Sequence, residues 1–406
     1  MCVLLHKFPS YGWYCKEDLS CMSFSFLVNL IALLFSFFVI GAVLGAVFYK
    51  PFREKLITAL RERRLLLAKS IRNPILIPGG SPWTAEAVMN PTAVVLDGRT
   101  HLIYRAIGSD GISRLGYAAS ADGIVFDTRL PYPAYVATNP RNLPGPMRRY
   151  SPVLYPSGGS WGGCEDPRAV TLDGRVYVTF NMFDGWDFIR VAAISIAQDD
   201  FIAKRFEKWD GPYLLSCPGQ IQKNWVLFPE KIDGKVAILH SIAPEIEIAY
   251  RDSIEDIGTE EPLIESWVGA RSSLPARENS WDSFIRSAGP PPVKTDRGWL
   301  LFYHAIDEHD PGRYKLGALL LDLSEPTRVL KRATLPILSP DEHYENHGKP
   351  GIVYACGAVV RDGTLFVYYG GADKVVCVAT APLAAFLDAL EEGSEAPLTS
   401  QDALTA

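Results

Sequence analysis

The stretch Gly162-Gly163-Cys164-Glu165-Asp166-Pro167-Arg168 puts two adjacent carboxylates between a glycine pair and a proline, with an arginine directly behind. General acid or base chemistry needs a carboxyl held rigidly at a pocket wall, beside a neighbour that tunes its proton affinity. Pro167 restricts the local backbone and Arg168 supplies a charge. The apolar run Ala169–Leu172 and an Asp173-Gly174 turn follow, so the carboxylates stand on a strand. The bland alternative is a capping aspartate and a surface glutamate ahead of an edge strand.

The surrounding elements sharpen the choice. From Asn73 onward, alternating apolar and aromatic runs are broken by Gly, Pro, Asn and Asp, the pattern of strands and turns. Five segments share one layout: a short apolar strand, a glycine-ended turn, an aromatic-rich strand and a second alternating strand. The turns are Asp97-Gly98, Asp173-Gly174, Asp233-Gly234, Asp296-Arg297-Gly298 and Asp362-Gly363. Several short strands per repeat are what a propeller blade requires. The expected fold class is therefore all-β, a five-bladed β-propeller over residues 73–385, with a β-sandwich as competitor. Arg105, Asn181, Ser241, Ala305 and Gly370 each stand seven residues after their turn glycine, and His240 and His304 six. Asn90-Pro91 and Asp166-Pro167 each begin eight residues before theirs. Equivalent positions in a ring converge on its axis, so a carboxylate, an arginine and two histidines are expected around one funnel.

Composition bounds the rest. The chain has 406 residues and a net charge of −6, with no basic excess to suggest nucleic acid as a partner. Its seven cysteines form no CxxC pair, which argues against a disulfide framework or zinc site and fits a reducing compartment. Beyond a segment 1–22, residues 23–49 are almost wholly apolar and uncharged, long enough for a transmembrane helix. The basic residues after it outnumber those before it, which predicts a single-pass membrane protein with the main domain facing the cytoplasm. Residues 50–72 predict a basic juxtamembrane helix or linker. Residues 386–406 are expected to be a disordered tail. His343 and His347 have i,i+4 spacing, but Pro340, Gly348 and Pro350 bracket them, so no metal site is predicted. The insertion 267–286 is expected to overhang the funnel.

The motifs NPTAVV, YRAIG, GGCEDPRAV, KNWVLFPEKIDGK, GPPPVKTDRGWLLFYHA, PILSPDEHYE and YYGGADKVVCVAT occur in order across residues 73–385. In this order the chain resembles glycoside hydrolase family 130, the mannoside phosphorylases and related mannosidases. The resemblance implies a five-bladed propeller that cleaves β-mannosidic linkages with inversion, without a cofactor. It implies Asp166 as general acid, and Asn90, Arg105 and Asp373 as sugar-holding residues, with Glu165 and Arg168 beside them. It implies inorganic phosphate as co-substrate in the phosphorylases, bound at positions matching Lys223, Ser241 and His304. Ser241 replaces an arginine there, and a serine cannot reproduce a bidentate guanidinium clamp. Glu245 and Glu247 follow close by, with His240 adjacent. An inverting hydrolase needs a second carboxylate roughly 6.5–9.5 Å from the acid to activate water. The sequence reading therefore favours hydrolysis of β-mannosides in oligosaccharides or glycoconjugates. Phosphorolysis to mannose 1-phosphate is the alternative, and glycan binding without catalysis a third reading.

Overall fold

The computed structural model describes residues 24–48, 67–137, 149–185, 188–219, 221–243, 245–258, 277 and 280–393. The apolar run near the N-terminus forms a helix, Phe24–Phe48. Its side chains are described only from 29 to 41. Among the described residues no helix is long and apolar enough to cross a membrane. This corrects the transmembrane expectation for 23–49, and with it the single-pass localisation and cytoplasmic facing. Residues 1–22 and most of 50–72 lie outside the described residues. Within the described end of that segment, Ala68–Lys69 is a strand.

From that strand onward the described chain is predominantly β. Its strands are β1 (Ala68–Lys69), β2 (Ala87–Leu96), β3 (Arg99–Ile107), β4 (Ile112–Ser120), β5 (Phe126–Arg129), β6 (Gly162–Leu172) and β7 (Arg175–Asp184). Next come β8 (Ile189–Ala197), β9 (Asp210–Leu214), β10 (Val226–Leu227), β11 (Val236–Ser241), β12 (Glu247–Arg251) and β13 (Phe284–Ala288). The last are β14 (Val293–Lys294), β15 (Trp299–Asp307), β16 (Asp310–Leu321), β17 (Val329–Arg332), β18 (Val353–Arg361), β19 (Thr364–Gly371) and β20 (Val375–Pro382).

Four of the five expected turns are built as Asp-Gly demands. Asp97, Asp173, Asp233 and Asp362 have φ of 47–49°, and the glycine after each is also positive. Two successive positive φ values make a type I′ turn, whose twist matches that of the strands it joins. The Asp296-Arg297-Gly298 turn is one residue longer, which shifts the count of positions beyond it.

Among the described residues the hydrogen-bonded strands form four sheets, not five separate blades. The first two expected blades, β2–β5 and β6–β9, are joined by a short parallel contact of Ile112 with Gly162 and Ser113 with Gly163. The apolar residues nevertheless pack in a regular order. Ile103 and Tyr117 pack with Val178 and Ile194. Val191 packs with Trp225 and Ile238, Leu239 with Leu301 and Tyr303, and Phe302 and Leu316 with Val353 and Val367. The fifth cluster returns to the start, joining Tyr368 and Val378 to Val88 and Leu102. β1 pairs with β20, so N-terminal residues complete the C-terminal sheet. The tail expectation is shortened: Leu383–Gly393 is a helix whose Phe386, Leu387 and Leu390 are buried in the core. Residues 394–406, and nearly all of the expected overhang at 267–279, lie outside the described residues.

Candidate active site

Two strands are broken in the same way where chemistry was expected. In β2, Met89 pairs with Arg105 and Thr92 with Ile103, so Asn90 and Pro91 together face one residue of β3. In β6, Glu165 pairs with Asn181 and Arg168 with Thr179, so Asp166 and Pro167 do the same against β7. Such bulges bend a strand and re-aim a side chain. Asn90 and Asp166 adopt φ of 48° and 51°, a conformation that Asn and Asp tolerate better than other side chains. Proline cannot donate to the ladder, and the bulge removes the need for it to do so.

Both residues line a cavity of about 400 Å³, together with Arg105, Lys223, Asn224, Arg286, Tyr314, Lys349, Tyr354 and Asp373. That is a normal size for a small-ligand site. Arg105 is buried and anchors the floor. Its Nε donates to Ser113 Oγ at 2.8 Å, and its Nη2 donates to Ser157 O, Ser160 Oγ and Glu165 Oε1, each at 2.8 Å. Its Nη1 lies 3.6 Å from Asp166 Oδ1. On the other side, Asn181 Nδ2 donates to Asp166 Oδ2 at 3.3 Å. Asp166 is thus held from both flanks while still reaching the cavity.

Glu165 is fully buried beneath it. Its Oε2 accepts from Lys223 Nζ at 3.0 Å and from Ser157 Oγ at 2.8 Å. Burial alone pushes this carboxyl upward, but Arg105, Lys223 and the Ser157 hydroxyl outweigh burial and hold it below its ordinary value. Asp373 responds in the opposite sense. Burial raises its carboxyl, and Lys349, 3.6 Å away, and Arg105 only partly offset this. The carboxyl buried beneath the cavity and the one on its wall are therefore pushed apart in proton affinity.

Other expected site residues are placed elsewhere. Arg168 is buried and spans to another sheet, donating from Nε to Gly289 O at 2.9 Å and from Nη2 to Ala288 O at 3.3 Å. Its Nη1 donates to the backbone carbonyl of Asp166 at 2.6 Å, so it braces the bulge instead of lining the cavity. His304 is also fully buried outside the lining. Its Nε2 accepts from Ala355 N–H at 2.9 Å, and Tyr354 stacks over the ring with centroids 3.9 Å apart. Burial, with Arg168 nearby, lowers its pKa well below the ordinary range, so the ring is neutral.

The cross-strand register also decides between the two counts at His304 and Ala305. Tyr104–Gly116 and Arg105–Leu115 pairs in one sheet match Tyr303–Gly317 and His304–Leu316 in another. His304 is the counterpart of Arg105: both follow the turn aspartate by the same number of residues, and the glycine of the longer turn stands one residue later in it. His240 packs 5.6 Å from the Trp225 ring with Nδ1 3.6 Å from Glu247 Oε2. His240, Ser241, Glu245 and Glu247 are all absent from the cavity lining. The expected second carboxylate is therefore not at the cavity in this part of the fold.

Sequence reasoning missed several lining residues. Asn224, at φ 65°, donates from Nδ2 to Tyr354 Oη at 3.1 Å, and its Oδ1 accepts from Asn181 Nδ2 at 3.0 Å. It lies next to Lys223, so the signal was adjacent. Arg286 ends the 267–286 insertion expected to overhang the funnel, whereas Tyr314, Lys349 and Tyr354 carry no signal of their own as site residues. Among the described residues no group of three or more His, Cys, Asp or Glu side chains is arranged to hold a metal ion.

A carboxylate clamped by an arginine and an asparagine at the wall of a polar cavity suits acid–base chemistry, and similarity to known proteins makes the chain a glycoside-processing enzyme. The model of glycoside hydrolase family 130, described as beta-1,4-mannooligosaccharide phosphorylase, matches residues 67–392. The chain belongs to that family. It is 37% identical over 321 residues to a 1,2-beta-oligomannan phosphorylase of Thermoanaerobacter sp. (strain X514), covering 75% of this chain and 94% of that one. It is 30% identical over 328 residues to a beta-1,2-mannobiose phosphorylase of the same organism, covering 77% and 96%. The fold is shared with the beta-1,2-mannobiose phosphorylase of Listeria innocua, at a TM-score of 0.60 and 24% identity, covering 80% of this chain and 99% of that one.

Proposed function

We propose that this enzyme is a β-mannoside phosphorylase, cleaving a terminal β-mannosyl linkage with inorganic phosphate. The observation that carries this reading is the charge pattern of the cavity. Among the described residues, Arg105, Lys223, Arg286 and Lys349 line it against only Asp166 and Asp373, while Glu245 and Glu247 lie outside it. A hydrolase needs a base for water near the acid. A phosphorylase needs cations for a dianion. The phosphorylase names of the two Thermoanaerobacter relatives point the same way. This replaces hydrolysis, which the sequence reading had favoured.

In the proposed reaction Asp166 delivers a proton to the leaving glycosidic oxygen, directly or through a substrate hydroxyl. The bond from the anomeric carbon to that oxygen breaks. A phosphate oxygen bonds to the same carbon from the opposite face. The products are α-mannose 1-phosphate and the shortened acceptor. Asn90, Arg105 and Asp373 hold the sugar. A closed five-bladed ring is the architecture we propose around this site. The cyclic order of the five apolar clusters and the β1–β20 pairing support it.

The test is turnover of β-1,2- and β-1,4-mannobiose by the full chain, with and without inorganic phosphate. Mannose 1-phosphate formed only with phosphate is the expected result, with β-1,2-mannobiose the better substrate. Free mannose at the same rate without phosphate would overturn the reading.

A further inference from the structure

Three of the four cations on the cavity already have carboxylate partners. Arg105 pairs with Glu165 at 2.8 Å and with Asp166 at 3.6 Å, Lys223 with Glu165 at 3.0 Å, and Lys349 with Asp373 at 3.6 Å. Arg286 has no carboxylate within ion-pair distance among the described residues. Its contacts are two aromatic rings: the guanidinium carbon lies 5.2 Å from the Phe284 centroid and 5.7 Å from that of Tyr314. Rings hold a guanidinium in place through its face while leaving its N–H edge free.

The backbone explains how it reaches the cavity. In β13, Ile285 pairs with Ala305 and Ser287 with His304, so Arg286 is the extra residue of a bulge. A bulged residue is released from strict alternation and can be turned toward a site. Its neighbour Ser287 is buried, but Arg286 is exposed at the mouth. Of the positions first expected to bind phosphate, Lys223 lines the cavity but is held by Glu165 at 3.0 Å, and the other two do not reach it. His304 is neutral, covered by Tyr354 and already accepts a backbone N–H. Ser241 is outside the lining.

Resting on the phosphorolysis reading, we propose that Arg286 is the phosphate-recognising group of this cavity, its N–H fork binding orthophosphate or the phosphoryl group of the sugar phosphate product. A planar fork matches two phosphate oxygens at once, which an ammonium cannot do. Lys223 is the nearby candidate for a supporting charge, shared with Glu165.

The test uses the full chain with Arg286→Met and Arg286→Lys. Calorimetry measures binding of inorganic phosphate without any turnover. Kinetics give KM for phosphate and for mannobiose in cleavage, and for mannose 1-phosphate in the reverse direction. Arg286→Met should weaken phosphate and mannose 1-phosphate by roughly 10- to 100-fold, the range expected for lost charge-assisted hydrogen bonds. The mannobiose KM should stay within about twofold, and Arg286→Lys should fall between wild type and Arg286→Met. Wild-type phosphate affinity in Arg286→Met would overturn the inference and leave phosphorolysis standing. Weakening of inorganic phosphate alone would also overturn it, because both ligands must share the site of phosphoryl transfer. A wild-type chain that neither binds phosphate nor forms mannose 1-phosphate would overturn the phosphorylase reading itself, and this inference with it.

Discussion

Replacing Glu165 by glutamine should cost far more stability than a surface carboxylate would. The side chain is fully buried and holds two cations, Arg105 at 2.8 Å and Lys223 at 3.0 Å. Glutamine keeps the shape but removes the charge, and turns an N–H₂ toward one of the cations. Removing one partner of a buried pair typically costs about 3–5 kcal/mol. The Lys223 side chain is 20% exposed and can recover some hydration, whereas that of Arg105 is 3% exposed and cannot. The expected loss is therefore at the lower end, about 3 kcal/mol. With a urea dependence of about 3 kcal/mol per molar, the unfolding midpoint should fall by about 1 M. The dependence on pH gives a second readout. The folded carboxyl titrates below its ordinary value of 4.5. Its contribution is thus fully present above that pH and is lost as pH falls through the lower folded value. The gap between wild type and Glu165→Gln should be constant at neutral pH and narrow in acid. A midpoint shift under roughly 0.3 M at pH 7, or a gap that widens in acid, would refute the account of Glu165 as the counter-charge of the site.

Asp166→Asn should lower turnover by about 10²- to 10⁴-fold, the range for a lost general acid; product assays and calorimetry with mannobiose should show activity gone and sugar binding kept. Asp373→Asn should stabilise the fold at neutral pH. Burial raises this carboxyl above 3.8, so the folded state binds the proton more tightly and stability falls as pH rises through the folded value. Thermal unfolding of Asp373→Asn at pH 7 and pH 3.5 should show the gain at the first and not at the second. Gly163→Ala should be destabilising by at least about 2 kcal/mol. A Cβ there would lie 2.0 Å from Ser113 O at φ +107°, at the junction of β4 and β6. Gly98→Ala is the control, with nothing within 4 Å of its Cβ at φ +66°; it should cost only about 1 kcal/mol by urea unfolding.

Much of the site was legible because its devices are local. Asp-Gly pairs encode type I′ turns through positive φ at both residues. Asn-Pro and Asp-Pro encode bulges, because proline has no N–H for the ladder and Asn and Asp accept a positive φ. Counting from the turns then found that Arg105 and Asn181 face Asp166. The same counting placed His304 with Arg105, as the register has it, but could not show that Tyr354 covers the ring. In a strand of period two, one residue decides which way a side chain points. Arg168, expected beside the sugar, instead has a side chain long enough to reach Gly289 and Ala288 on another sheet.

The sequence by itself therefore determined the strand pattern, the turn types, the position of Asp166 and the family. Each depends on residues within about ten positions of one another, or on motifs in fixed order. The tertiary structure alone decided which charges share the cavity. Tyr354 covers His304, β12 carries Glu247 away from the acid, and the bulge in β13 brings Arg286 to the mouth. These outcomes depend on how separate sheets pack, and electrostatic roles follow distance in space. The apolar run at 23–49 shows the complementary limit: composition allowed a membrane-spanning reading that the described structure does not support.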